Sequence, residues 1–273
     1  MDFFTSHDWL NRGLESYAFK LDHLLFILIS ISIGVGLAFL LRKRERKTIT
    51  IVLISLWGLY LTVIWLYYGI IYYQCAIGLL EFNYHTMLPL HSCCMFMFVF
   101  PFAIFPKNKI IKTAASSFLV IVNMIMAFIT LFVGCPPGGY SALSFNGITS
   151  LIYHAIDVIV PLIMLITGYY DIKKNDAFLG LAVFGTLGLT IWIFDAITKS
   201  DYFYFYDGSM FPILKNISEN VVPIVWTLLI VSCYVITAFV THYGVVGLKY
   251  LLTKKKEKHE KCNEISYSHH GGC

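Results

Sequence analysis

Charged side chains are scarce in this sequence, 13% of 273 residues against 58% hydrophobic. Five long stretches, Leu24 to Leu41, Thr48 to Leu80, Phe82 to Pro106, Thr113 to Ile156 and Asn220 to Leu248, hold no Asp, Glu, Lys or Arg at all. A mean hydropathy of +0.72 completes a profile that excludes a cytosolic enzyme, a secreted disulfide scaffold and a nucleic-acid binder. Ten-residue alternating segments are missing too, so a closed barrel is excluded, and only helices remain to satisfy backbone groups in lipid. No internal repeat or inverted pair of halves is present. An Asp-Arg-Tyr motif after the third span and an Asn-Pro-x-x-Tyr motif in the last, as a receptor-type sensor would carry, are also missing.

What the chain does have is runs of about 20 apolar residues, the length that crosses a hydrocarbon core. Seven are predicted: Leu24 to Leu41, Ile49 to Tyr72, Leu88 to Phe105, Ala114 to Val133, Leu151 to Tyr169, Phe178 to Ile197, and Val221 to Thr241 with an extension toward Leu252. The expected fold is therefore all-α, a polytopic bundle of seven transmembrane helices. Sixteen of the 20 Lys and Arg fall in the first, third and fifth loops and the tail, and none in the second and fourth loops. Positive residues stay on the cytoplasmic side, which predicts an N-out, C-in chain. The net charge of +4 thus reflects topology rather than a basic docking face.

Residues 1–23 lack the basic start and small-residue cleavage site of a signal peptide, so they are expected to be retained. Phe3, Leu10, Leu14 and Tyr17 recur at helical spacing, as in an amphipathic segment at the outer interface; a fraying terminus fits equally. Residues 24–252 form the membrane domain. From 253 to 273 the composition reads as a solvated, disordered tail, and the spacing of its His259, Cys262, His269, His270 and Cys273 matches no zinc pattern.

Ionisable groups inside a span are costly in lipid and mark function by default. His91, Cys93 and Cys94 open the third span. His154 and Asp157 lie about 5 and 9 Å below the start of the fifth at 1.5 Å per residue. Asp195 ends the sixth, and Glu219 and Asn220 precede the seventh. All sit in one half of the membrane, which suggests a cavity opening outward. His154 and Asp157 share a helical face, an arrangement in which a carboxylate orients an imidazole that activates a thiol; a structural hydrogen bond between helices is the competing reading. Buried cysteines are usually inert small hydrophobes, and that reading stands beside the reactive one for Cys93 and Cys94. His91, His154, a cysteine and Asp157 have suitable ligand types for a metal, but no ligand spacing supports one, so neither metal nor cofactor is expected. Cys75 and Cys135, at the outer ends of the second and fourth spans, are either a disulfide or two free thiols. The aromatic run that includes Tyr202 and Tyr204 is either an interfacial belt or a lid over the cavity, suited to a substrate with an acyl chain and a polar head.

The string Leu88, Pro89, Leu90, His91, Ser92, Cys93 resembles the LPLHxC signature of the YwaF-type integral membrane family. His154 opening the fifth span, Asp201-Tyr202 after the sixth and the span count add to the resemblance, which covers most of the chain from the second span onward. An animal transmembrane relative moves fatty acyl chains between phospholipids through a cysteine. The resemblance implies Cys93 as the acyl-accepting nucleophile and His91 or His154 as its base. Asp195 and Asp201 stand where the family tends to Asn, and Cys94 is an additional thiol. The expectation is an integral membrane lipid acyltransferase or acyl-ester hydrolase. Membrane lipids are the partners, and Asp195, Tyr202, Tyr204, Glu219, Asn220 and Cys94 line the substrate. The alternative is a transporter in which His154, Asp157 and Asp195 bind a cation or shuttle protons.

Overall fold

The structure is a computed structural model and describes residues 19–85, 87–133, 144–205 and 220–269. Most of the expected N-terminal amphipathic segment, Cys135 and Glu219 lie outside the described residues. Those described form seven helices: α1 (Leu21–Leu41), α2 (Arg46–Ala76), α3 (a 3-10 turn, Ser92–Cys94, leading into Met95–Ile104), α4 (Lys109–Phe118, a π-helical turn Leu119–Asn123, then Met124–Val133), α5 (Phe145–Ile166), α6 (Asp176–Thr198) and α7 (Pro223–His269).

Six of them are long and apolar enough to cross a membrane, so this is an integral multi-pass protein. The exception is α3, with three 3-10 and ten α-helical residues. At 1.5 Å per residue it reaches only about 20 Å. The expected span began at Leu88, but His91 is extended (ψ 153°) and helical backbone starts only at Ser92; Pro89 disfavours helical geometry in the residue before it. By contrast α5 begins at Phe145, before the expected Leu151, because Ser144 caps it by accepting the Gly147 N–H at 3.1 Å. The last helix continues to His269 through the Lys- and Glu-rich segment expected to be irregular. Both residue types are good helix formers.

Burial separates centre from periphery. In α5 78% of the apolar window is buried and in α4 67%, against 22% to 28% in α1, α2, α6 and α7. Helix α5 packs on α1, α2 and α4, and the π-helical turn of α4 touches α3, α5, α6 and α7. The peripheral helices turn Leu28, Ile33, Leu66, Ile193 and Val240 outward, where lipid is the solvent. Close approach replaces hydrophobic driving force between membrane helices. At Gly180 of α6 an added Cβ would lie 2.7 Å from Ser117 Oγ and 3.0 Å from the Phe118 backbone nitrogen, and Ser117 Oγ donates to the Asp176 carbonyl at 2.7 Å. Several hydroxyls inside the spans are instead satisfied within their own helices, as with Thr62 on the Gly58 carbonyl at 2.9 Å.

Cationic residues gather at one end of the bundle. Arg46 at the start of α2 stacks over the Tyr169 ring at 4.2 Å, and Lys249 of α7 pairs with Asp171. His242 shares a hydrogen bond of 3.0 Å with the Lys174 carbonyl, which joins α7 to the same α5–α6 loop.

Candidate functional site

The chain turns tightly at Pro89, with the Leu90 N–H on the Leu88 carbonyl at 2.8 Å, and is extended at His91; the adjoining 3-10 turn closes through a Cys94 N–H to His91 carbonyl bond of 2.8 Å. This buries both thiols, Cys93 8% and Cys94 1% exposed. The α2 tyrosines hold the turn. Tyr60 donates to the Cys93 carbonyl at 3.1 Å, while the Tyr68 hydroxyl donates to the Leu88 carbonyl at 3.3 Å and lies 3.9 Å from Cys94 Sγ.

Helix α5 brings His154 and Asp157 to the same place, and both are buried. Because α5 starts at Phe145, they lie nine and twelve residues in, about 14 and 18 Å along the helix. That is near the middle of a span, deeper than the sequence suggests. The Cys93 thiol interacts with the Cys94 thiol and with the His154 imidazole. His154 Nδ1 is 2.8 Å from the Ser150 carbonyl oxygen. A carbonyl only accepts, so Nδ1 carries the proton and Nε2 keeps its lone pair. That Nε2 is buried and completes no hydrogen bond. A buried lone pair beside a buried thiol is the arrangement for moving a proton off sulfur.

Asp157 does not orient this imidazole. Neither of its oxygens completes a hydrogen bond. Helical side chains lean toward the N-terminus, so the His154 ring reaches back to Ser150 rather than forward to Asp157. The Asp157 carboxyl interacts instead with Cys93 and with Asn123 of the π-helical turn.

His91 and Asp195 both contact the turn that follows α6. The His91 ring meets Tyr202 edge to face, centroids 5.0 Å apart, and lies 6.3 Å from Tyr204. Asp195, expected to touch substrate, accepts the Tyr202 N–H at 3.0 Å and so fixes the turn after α6. The Tyr202 hydroxyl donates to the Tyr84 carbonyl and accepts the Leu88 N–H at 3.1 Å. Burial pushes its phenol up to about 12. Tyr202, Phe203 and Phe205 are all buried, Phe203 near Tyr234 and Phe205 over Gly188, so this part of the aromatic run packs inward instead of forming an exposed belt. Asn220 is exposed just before α7. Cys75 is half-buried in the last turn of α2. Among the described residues no group of three or more His, Cys, Asp or Glu could hold a metal ion.

Sequence reasoning gave no role to Tyr60 or to the Ser150 carbonyl, and read Asn123 only as a neutral group able to bond its own helix or a neighbour. Asn123 carried the one readable signal, a lone amide in an otherwise apolar run.

A family model described as the TMEM164 family matches residues 18–245. The narrower YwaF-type name is not what that match carries. No curated protein and no solved structure matches the chain.

Proposed function

The chain belongs to the TMEM164 family of membrane proteins, and from that premise we propose that it is a lipid acyltransferase, or acyl-ester hydrolase, that works through Cys93. One observation carries the reading: His154, whose imidazole interacts with the Cys93 thiol, is held as the tautomer whose Nε2 lone pair is buried and without a hydrogen-bond partner. Nε2 takes the thiol proton as sulfur attacks the ester carbonyl of a membrane lipid. The lysolipid oxygen leaves with that proton. In the second half-reaction His154 deprotonates an incoming lipid hydroxyl, or water, which cleaves the thioester. Lipid burial disfavours an isolated thiolate, so proton transfer accompanies attack. Cys94 and the Tyr202–Tyr204 turn border the path of the acyl chain, and Asn220 the side from which a head group enters. The bundle end that holds Arg46 and Lys249 faces the cytoplasm, which gives an N-out, C-in chain.

The test is purified full-length protein in nanodiscs, given phospholipid with a labelled acyl chain. The expected result is a hydroxylamine-labile label on the Cys93 peptide, absent from Cys93→Ala. Equal labelling and ester turnover in the variant would overturn the assignment.

A further inference from the structure

Near the Cys93 thiol, or joined to it through Asp157, lie five buried polar atoms that complete no hydrogen bond: His154 Nε2, both Asp157 oxygens, and both Asn123 side-chain polar atoms. Leaving such groups unpaired costs about 1–3 kcal/mol each in a protein interior, and lipid supplies no water to relieve them. Together they outline what is accommodated there. The Asn123 amide interacts with the Asp157 carboxyl, and neither group completes a hydrogen bond. Asn123 is 1% exposed and ends the π-helical turn. A π turn takes in one extra residue, which rotates the rest of the helix by about 100° relative to an unbroken α-helix, and such turns recur at functional sites. The turn that carries this amide touches α3, α5, α6 and α7.

We infer that Asn123 is the oxyanion donor of this site, its Nδ2–H hydrogen-bonding the carbonyl oxygen of the lipid ester attacked by Cys93, with Asp157 positioning the amide. The inference rests on the acyl-transfer reading above. Three other donors at this turn are committed: Tyr60 to the Cys93 carbonyl, Tyr68 to the Leu88 carbonyl and the Cys94 N–H to the His91 carbonyl. As the S–C bond forms, the carbonyl π pair moves onto oxygen, where the Asn123 N–H stabilises it, and the thiol proton goes to His154 Nε2. Collapse restores the carbonyl, breaks the ester C–O bond and returns that proton to the departing lipid oxygen. A neutral amide suits a low-dielectric site because it stabilises the transient charge without adding a fixed one.

The test compares two reactions of the same thiol in Asn123→Ala and in the near-isosteric Asn123→Leu. Alkylation of Cys93 by N-ethylmaleimide, read on its peptide by mass spectrometry, needs an accessible, activated thiol but no ester oxyanion. Acylation by a labelled phospholipid needs both. We expect acylation to fall about 100- to 1,000-fold in both variants while alkylation stays within about threefold of the parent. Acylation within threefold of the parent in either variant overturns the inference. So does an equal fall of both rates, which would mark Asn123 as structural. If the parent chain itself forms no adduct, the acyl-transfer reading fails and this assignment falls with it; an adduct on the parent that survives in Asn123→Leu removes this assignment alone.

Discussion

His154 Nδ1 lies 2.8 Å from the carbonyl oxygen of Ser150, one turn earlier in α5. The atom that fixes the tautomer is therefore backbone, and no side-chain substitution at Ser150 removes it. Ser150→Ala, which deletes only a hydroxyl 3.5 Å from the ring, should keep Cys93 acylation within about threefold of the parent, whereas His154→Gln should lower it about 100- to 10,000-fold as general bases do. Single-turnover labelling with an acyl-labelled lipid measures both. A large loss in Ser150→Ala would mean that the hydroxyl, not the carbonyl, holds the ring.

Asp157 separates this site from a nucleophile–histidine–carboxylate triad. In such a triad, replacing the carboxylate by its amide costs about 10,000-fold by imposing the wrong tautomer. Here the carboxyl completes no hydrogen bond to the ring. Asp157→Asn should therefore cost less than about tenfold in acylation, since a second amide can still hold Asn123. A triad-sized loss would show that the carboxyl swings onto His154 during turnover.

Close packing of α4 on α6 depends on a missing side chain. A methyl group at Gly180 would meet Ser117 Oγ at 2.7 Å and the Phe118 backbone nitrogen at 3.0 Å. The hydroxyl is itself committed to the Asp176 carbonyl, so it cannot turn away without leaving that group unpaired. Gly180→Ala should destabilise the bundle by about 1–3 kcal/mol, the usual range for overpacking. Thermal aggregation in detergent would show it as a lower midpoint, with Gly185→Ala as the control because nothing lies within 4 Å there.

The parts of this fold legible in the sequence are those set by forces that act on one helix at a time. Long apolar runs, with a single Asp in the fifth and in the sixth, marked the spans, because the bilayer demands length and apolarity from each helix separately. Helix starts were harder. Ser144 and Pro89 act through backbone geometry that hydropathy does not register, which is why α5 began earlier and α3 later than their apolar runs. The Cys93–His154 meeting was approachable from the LPLHxC string, but the role given to Asp157 was not, since helical spacing places two residues on one face without saying which way a ring leans. Asn123 depended on a π turn that no local pattern announces. Asp195 and Tyr202, placed at the substrate by their position at a membrane edge, also hold a turn together through a bond that hydropathy does not register.

Orientation has a direct check. Arg46, Lys174 and Lys249 belong to one end of the bundle, and positive residues are retained in the cytoplasm. An epitope placed after Cys273 should be labelled by antibody only once the membrane of intact cells is permeabilised. Labelling of unpermeabilised cells would reverse the proposed orientation while leaving the helical bundle untouched.

The turn after α6 should carry a pH signature. Tyr202 joins the two segments that flank the thiol: its hydroxyl bridges the Tyr84 carbonyl and the Leu88 N–H, and its own N–H is held by Asp195. Tyr202→Phe keeps the ring against His91 but removes both hydroxyl bonds. It should raise protease sensitivity between Leu80 and His91, at a cost of about 1–3 kcal/mol for the groups left unpaired. Burial raises the phenol from its ordinary 10.0 to about 12, so the folded state favours the neutral form. A group raised in the folded state contributes fully below its unfolded value and loses that contribution as pH rises through the folded one. The melting temperature of the parent should therefore exceed that of Tyr202→Phe by a constant margin up to about pH 10, and the margin should close as pH approaches about 12. A margin that narrows instead on acidification, where the hydroxyl stays neutral, would point to Asp195 as the group that titrates and to its bond with the Tyr202 N–H as the contact that holds the turn.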